Sequence, residues 1–269
     1  MNDPVCPFEK KECADCSGEF MWIRVERDHL RATPCDCGHP CDTCGDTGYL
    51  HNIDERGYSQ VKPCRRELLD RRATWLTDAH LPGRYLEATL QTFQPRNRKL
   101  QHARSQAFRF ASGFEPGIPG LLWYGGCGTG KTHLMVAVLR YLIVRRGVRA
   151  RFVEFVHLLA DLRATFDGGG VSMADLMTPL AQVPVLAIDE LGKGRGSEWE
   201  QQVIDELVTR RYNARRTTLF TTNYYPEGAA KGDLPSLADR LGERVYSRLR
   251  EMCLPAALSG DDFRASIKE

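Results

Sequence analysis

Gly120-Leu121-Leu122-Trp123-Tyr124-Gly125-Gly126-Cys127-Gly128-Thr129-Gly130-Lys131-Thr132 decides the fold of this 269-residue chain. The first five residues read as a short buried strand. The run G-x4-G-K-T follows at once, ahead of a helical pattern that reaches residue 144. Strand, glycine loop and helix in that order form a phosphate cradle. The glycines let consecutive backbone N–H groups wrap a diphosphate, and the helix N-terminus adds positive potential. Lys131 then reaches the β and γ phosphates, while the Thr132 hydroxyl ligates magnesium. The candidate nucleotide contacts are Gly125, Gly126, Cys127, Gly128, Thr129, Gly130, Lys131, Thr132 and His133. ATP and Mg2+ are the expected cofactors.

Downstream, Pro184-Val185-Leu186-Ala187-Ile188-Asp189-Glu190 is an apolar strand ending in two carboxylates. Asp189 is suited to the magnesium shell. Glu190, one residue beyond the strand, is placed to deprotonate a water for in-line attack on the γ phosphate. Kinases of small molecules need no such base, so the pair favours hydrolysis. Leu219-Phe220-Thr221-Thr222-Asn223 is another short strand, and Asn223 at its end is suited to reporting the γ phosphate. Residues 237–250 read as one basic helix carrying Arg244 and Arg248, and an arginine there could complete a neighbouring subunit's site.

Between these landmarks strand and helix patterns alternate. A strand is expected near residues 151–155, helices through 182, a helix over 198–215 and a strand near 220. With crossover connections this is an α/β fold, a parallel sheet flanked by helices. Because residues 152–155 intervene, the Asp-Glu strand is not the next strand in sequence after the P-loop strand. Upstream, residues 65–79 predict a helix, broken by Leu81-Pro82-Gly83; a second helical stretch covers 101–110, after a solvated cluster of Arg96, Arg98 and Lys99.

The composition, 42% hydrophobic and 27% charged, supports a sizeable core and excludes a disordered or collagen-like chain. No apolar run approaches a membrane span and no leader pattern opens the chain, so a cytoplasmic protein with no membrane partner is expected. The net charge of +2 argues against a polybasic nucleic-acid coat. It divides unevenly: residues 1–66 carry 12 acidic and 9 basic side chains, and the remainder carries 23 and 28. The second part is the better candidate for meeting phosphates, with Arg145, Arg146, Arg149, Arg151, Lys193 and Arg195 as candidate DNA contacts.

Eight of the ten cysteines fall in residues 1–64. They repeat: Cys13-x2-Cys16 followed by Cys35-x-Cys37, then Cys41-x2-Cys44 followed by Pro63-Cys64. A C-x2-C knuckle turns two thiolates to one point, and a second pair completes the tetrahedron that zinc prefers. Disulfides are the competing reading, which a reducing compartment disfavours. The first copy supplies four sulfurs. The second supplies three, because Arg66 stands where a fourth would fall, leaving Cys6, His39, His51 or no residue at all to close it. One or two Zn2+ ions are thus expected in a small head that depends on metal for folding. Its acidity favours a protein partner.

Taken together, residues 125–134 (GGCGTGKTHL), 185–192 (VLAIDELG), Arg210-Arg211-Tyr212, Thr221-Thr222-Asn223 and Ser247-Arg248-Leu249, with residues 81–85 (LPGRY) ahead, resemble a known family. They are similar to the DnaC and DnaI helicase loaders and the related IstB transposition ATPases, AAA+ proteins of the initiator clade. The resemblance spans about residues 80–255. It implies that Lys131, Thr132 and Asp189 bind Mg-ATP, that Glu190 is the hydrolytic base, Asn223 the first sensor and Arg248 the arginine finger, with Arg244 the runner-up. It also implies self-association through the ATPase domain, a core that contacts single-stranded DNA and an N-terminal region that grips a DnaB-type replicative helicase. The head's residues 41–49 and Pro63-Cys64 resemble the zinc-binding start of some loaders, whereas IstB proteins usually begin with a helical domain. About 20 residues follow Arg248, too few for a helical lid with its second sensor arginine.

The expected division is a cysteine-rich zinc-ribbon-like region over 1–66, a helical linker over 67–80, an AAA+ ATPase domain over 81–255 and a tail over 256–269. The expected activity is ATP hydrolysis driving helicase loading in replication initiation. A transposition helper that coats duplex DNA and a zinc-headed ATP switch with negligible turnover are the alternatives.

Overall fold

The computed structural model describes residues 16, 21–36, 41, 44–167, 172–226 and 235–264. Cys6, Cys13, Cys37 and His39 lie outside them. The central sheet has five strands: β5 (Gly120–Tyr124), β6 (Ala150–Glu154), β7 (Val185–Asp189), β8 (Thr217–Thr222) and β9 (Cys253–Ala257). All pair in parallel, in the spatial order β6-β7-β8-β5-β9. The order inserts β8 between the P-loop strand and the Asp-Glu strand. The carboxyl ends of β5, β7 and β8 therefore open on one crevice, where an open parallel sheet binds ligands.

Strand alternation sends side chains to two cores. Leu121 and Trp123 of β5, Ala187 of β7 and Leu219 of β8 pack on one face with α2 (Arg98–Ser112) and α3 (Lys131–Arg146). Leu122, Leu186, Ile188 and Phe220 pack on the other with α4 (Phe155–Ala164), α5 (Met173–Gln182) and α6 (Glu198–Asn213). Burial on both sides is why β7 reads as an unbroken apolar run. α3 is stopped by Gly147 at φ +63, a left-handed C-cap that favours glycine.

Two sequence expectations change here. The single basic helix over 237–250 is α7 (Leu237–Leu241) and α8 (Glu243–Met252), separated by Gly242 at φ +80, and Ser236 and Asp239 form a capping box that starts α7. β9 runs across the expected boundary at 255. It contains Pro255, and it is an edge strand bonded only to β5, where a missing N–H is tolerated.

Ahead of the sheet, β1 (Met21–Glu26) and β2 (His29–Pro34) form an antiparallel hairpin. Arg27 and Asp28 turn it, both at positive φ (47 and 67). Met21, Leu30 and Ala32 join the same core as Ala73 and Leu76 of α1 (Arg65–Asp78) and Leu142 of α3. Far from a free linker, α1 is packed between β2 and α3, and Arg72 donates to Val144 O at 3.0 Å. A second antiparallel hairpin, β3 (Tyr49–Ile53) with β4 (Ser59–Pro63), stays solvent-exposed. Among the described residues no helix is long and apolar enough to cross a membrane.

Candidate nucleotide site

The cleft at the sheet's carboxyl edge has a volume of about 810 Å³. Its floor is the loop between β5 and α3. Gly125 stands at φ +142 with its α-carbon against Leu258, where a Cβ would fall 1.9 Å from the carbonyl oxygen. Gly130, at φ +92, starts α3 in a left-handed conformation with the Phe93 ring 2.6 Å from its missing Cβ. Larger residues at either position would break the close approach that shapes the cradle.

Lys131 is buried, and its ammonium donates to Gly125 O at 2.9 Å and Gly126 O at 2.7 Å. Burial pushes its pKa down, opposed by the thiol of Cys127 and the carboxylates of Asp189 and Glu190. Thr132 Oγ1 donates to both oxygens of Asp189, at 3.0 and 3.1 Å. This juxtaposed hydroxyl and carboxylate, all oxygen donors, is the set a hard cation such as Mg2+ takes. Burial raises the Asp189 pKa, and hydrogen bonds from Thr221 and Thr132 pull it back.

Thr221, quoted in the motif ahead of Asn223 but given no role there, is the organising residue. From β8 its hydroxyl bonds Asp189 and accepts the N–H of Glu190 at 2.9 Å. Glu190 therefore leaves β7 with its backbone fixed, at φ +55, and its side chain lines the cleft beside Asn223. His133 also lines it, but its Nε2 lies 3.2 Å from Thr89 O, tying α3 to the strap over residues 81–93. Tyr85 and Phe93 of that strap form one wall, and the Tyr85 hydroxyl meets Thr132.

A further part of the lining comes from beyond β9. Phe263 N–H donates to Gly128 O at 3.0 Å, and the Arg96 guanidinium lies 3.8 Å from the Phe263 ring centroid. This seats Arg264 at the mouth of the cleft, paired with Asp262 at 3.1 Å. A cation thus lines the cleft beside the phosphate cradle. No motif marks Phe263 or Arg264.

Arg248 is elsewhere. It projects from α8 onto Asp205 of α6 at 2.8 Å, while Arg244 beside it is 71% exposed and 3.8 Å from the same carboxylate. Neither lines this chain's own cleft.

In the head, the Sγ atoms of Cys41, Cys44 and Cys64 lie within 4.8 Å of one another, and Cys41 and Cys64 are 3.6 Å apart. Thiolates on a tetrahedral zinc stand about 3.8 Å apart, so the three fit that ion. His51 lies in β3, exposed and outside the cluster; among the described residues no fourth ligand joins it. Cys16 and Cys35, near the ends of the first hairpin, are both buried; their expected partners Cys13 and Cys37 lie outside the described residues.

Three of the six candidate DNA contacts have partners within the chain. Arg146 donates to Ser112 O at 2.8 Å, Arg151 to Asp78 O at 2.7 Å, and Lys193 pairs with Glu190. Arg145, Arg149 and Arg195 are exposed.

Residues 112–251 match the family model of the IstB-like ATP-binding proteins. The replicative helicase loader DnaC of Escherichia coli K12 is 30% identical over 149 residues, 55% of this chain and 57% of that protein. The chain thus spans little more than half the length of this curated relative. A crystal structure of the DnaC helicase loader superposes with a TM-score of 0.59 at 34% identity, over 65% of this chain and 99% of that one. DnaA of Aquifex aeolicus bound to AMPPCP, at 18% identity and a TM-score of 0.54 over 67% of this chain and 53% of that one, shares the fold.

Proposed function

The chain belongs to the IstB-like ATP-binding family, as a DnaC-like AAA+ protein, and from that membership we propose that it loads a ring-shaped replicative helicase of the DnaB type onto single-stranded DNA. The likeness to the DnaC loader carries this reading, joined to a complete set of Lys131, Thr132, Asp189 and Glu190 in one cleft. ATP binds with its phosphates on the glycine loop and Mg2+ on Thr132 and Asp189. Mg2+ supplies charge neutralisation on the β and γ phosphates when bound. Glu190 takes the proton of the attacking water, Asn223 senses the γ phosphate, and Arg248 reaches a neighbouring subunit once it leaves Asp205. Hydrolysis releases the helicase. The zinc head, with Cys41, Cys44 and Cys64 as ligands, grips the helicase, and the protein acts in the cytoplasm.

Single-stranded DNA is supported by an aromatic platform rather than by the basic cluster. Phe166 is 65% exposed, its ring 6.1 Å from that of Trp199, and the Arg163 guanidinium lies 4.9 Å from the Trp199 ring. The two rings meet edge to face at 65°, and an exposed aromatic face flanked by arginine accepts bases without regard to sequence. Phe166→Ala should weaken binding of a fluorescent oligo-dT by about 1–3 kcal/mol per lost stack, read by anisotropy. Unchanged affinity would remove the platform from DNA contact. Preference for duplex over single strands would favour the transposition-helper reading that the IstB-like name suggests.

A further inference from the structure

Glu190 is held at both ends. Its backbone occupies the left-handed region at φ +55, rarely adopted by a residue with a side chain, and its N–H is fixed by Thr221. Its carboxylate is held by Lys193, whose Nζ meets Glu190 Oε2, and the Lys193 N–H donates to Glu190 O at 3.0 Å to close a tight turn. The loop that carries Lys193 is itself anchored. Arg240 donates to Gly192 O at 3.1 and 2.9 Å and also to Gly194 O, and the Gly196 N–H donates to the buried Glu200 at 2.9 Å. With the backbone pinned from both sides, the Lys193 side chain, 58% exposed, is the part able to swing.

A general base needs an open carboxylate lone pair turned toward the water. An ammonium on Oε2 occupies an acceptor site and offsets the negative charge that draws the proton. We propose that Lys193 is a positioning residue that restrains Glu190, holding its carboxylate away from the attacking water and keeping turnover slow. The pair is exposed and therefore cheap to break. An anion reaching the cleft mouth takes the ammonium and frees the base. The proposal rests on Glu190 acting as the hydrolytic base.

Steady-state ATP hydrolysis by the full chain tests it. Lys193→Met, which keeps the stem and removes the charge, should raise kcat by up to about fivefold, the factor an exposed ion pair is worth, with KM for ATP unchanged. Lys193→Arg should restore the pair and the slower rate, and Lys193→Ala, as a second charge-free variant, should match Lys193→Met. Adding Glu190→Gln to Lys193→Met should abolish the gain. A kcat in Lys193→Met equal to or below that of the parent, with Glu190→Gln inactive, overturns the restraint alone. Retained turnover in Glu190→Gln overturns the assignment of the base beneath it.

Discussion

Glu190→Gln is expected to lower the kcat of ATP hydrolysis by about two to four orders of magnitude, the contribution of a positioned general base, while ATP affinity stays unchanged. The separation follows from the geometry. In the proposed site the phosphate and magnesium contacts belong to the glycine loop, Lys131, Thr132 and Asp189, none of which changes in the variant. The introduced carboxamide has nearly the same volume as the carboxylate, and the backbone bond from Glu190 to Thr221 does not involve the side chain. What is lost is the ability to accept a proton, together with the ion pair to Lys193, which touches neither phosphate nor magnesium ligands. Binding of a fluorescent ATP analogue measured beside phosphate release separates the two quantities. Turnover within about tenfold of the parent would move the base to another residue.

Arg211→Ala is expected to destabilise the fold by about 4 kcal/mol or more, because it strips charge-assisted hydrogen bonds and strands buried acceptors. Arg211 is fully buried at the centre of the sheet's flank. From α6 its guanidinium donates to Thr218 Oγ1 at 2.8 Å, Leu180 O at 2.7 Å, Val183 O at 2.9 Å and Thr217 O at 2.6 Å. It therefore fastens the end of α5, the entry to β7 and the start of β8, the two strands that present Asp189 and Thr221. Burial pushes its pKa down to about 9, which leaves it protonated at neutral pH. Lysine cannot reproduce the fork, so Arg211→Lys should recover only part of the loss. A urea midpoint shifted at constant slope measures the change, and a loss below about 1 kcal/mol would contradict the structural role.

The motif-bearing half of the cleft was legible in the sequence because its chemistry forces neighbouring residues to cooperate. A phosphate cradle needs consecutive N–H groups, which writes the glycine loop as one contiguous run. A cation site at strand ends places Asp189 directly after an apolar stretch. The other half was silent. Tyr85, Phe93, Phe263 and Arg264 reach the cleft from segments far apart in sequence, joined only by tertiary bonds such as Phe263 N–H to Gly128 O. Thr221 looks like any strand threonine until β8 is placed beside β7. Charge alone did not disclose that the guanidinium groups of Arg146 and Arg151 cap backbone carbonyls. In the head, C-x2-C spacing and the Pro63-Cys64 return were enough to anticipate the cluster of Cys41, Cys44 and Cys64. The first hairpin was harder to see, since Arg27 and Asp28 make its turn without the glycine that usually marks one.

Helicase loading is tested most directly with topology. A closed ring of the host's replicative helicase cannot thread a circular single strand unaided, so transfer onto circular single-stranded DNA reads loading itself. The full-length protein is mixed with the helicase, the circle and ATP, and helicase retained on the DNA is counted after a high-salt wash. Retention that requires both the protein and ATP is the expected result. A helicase that stays off the circle, with the protein folded and ATP-bound, would contradict helicase loading.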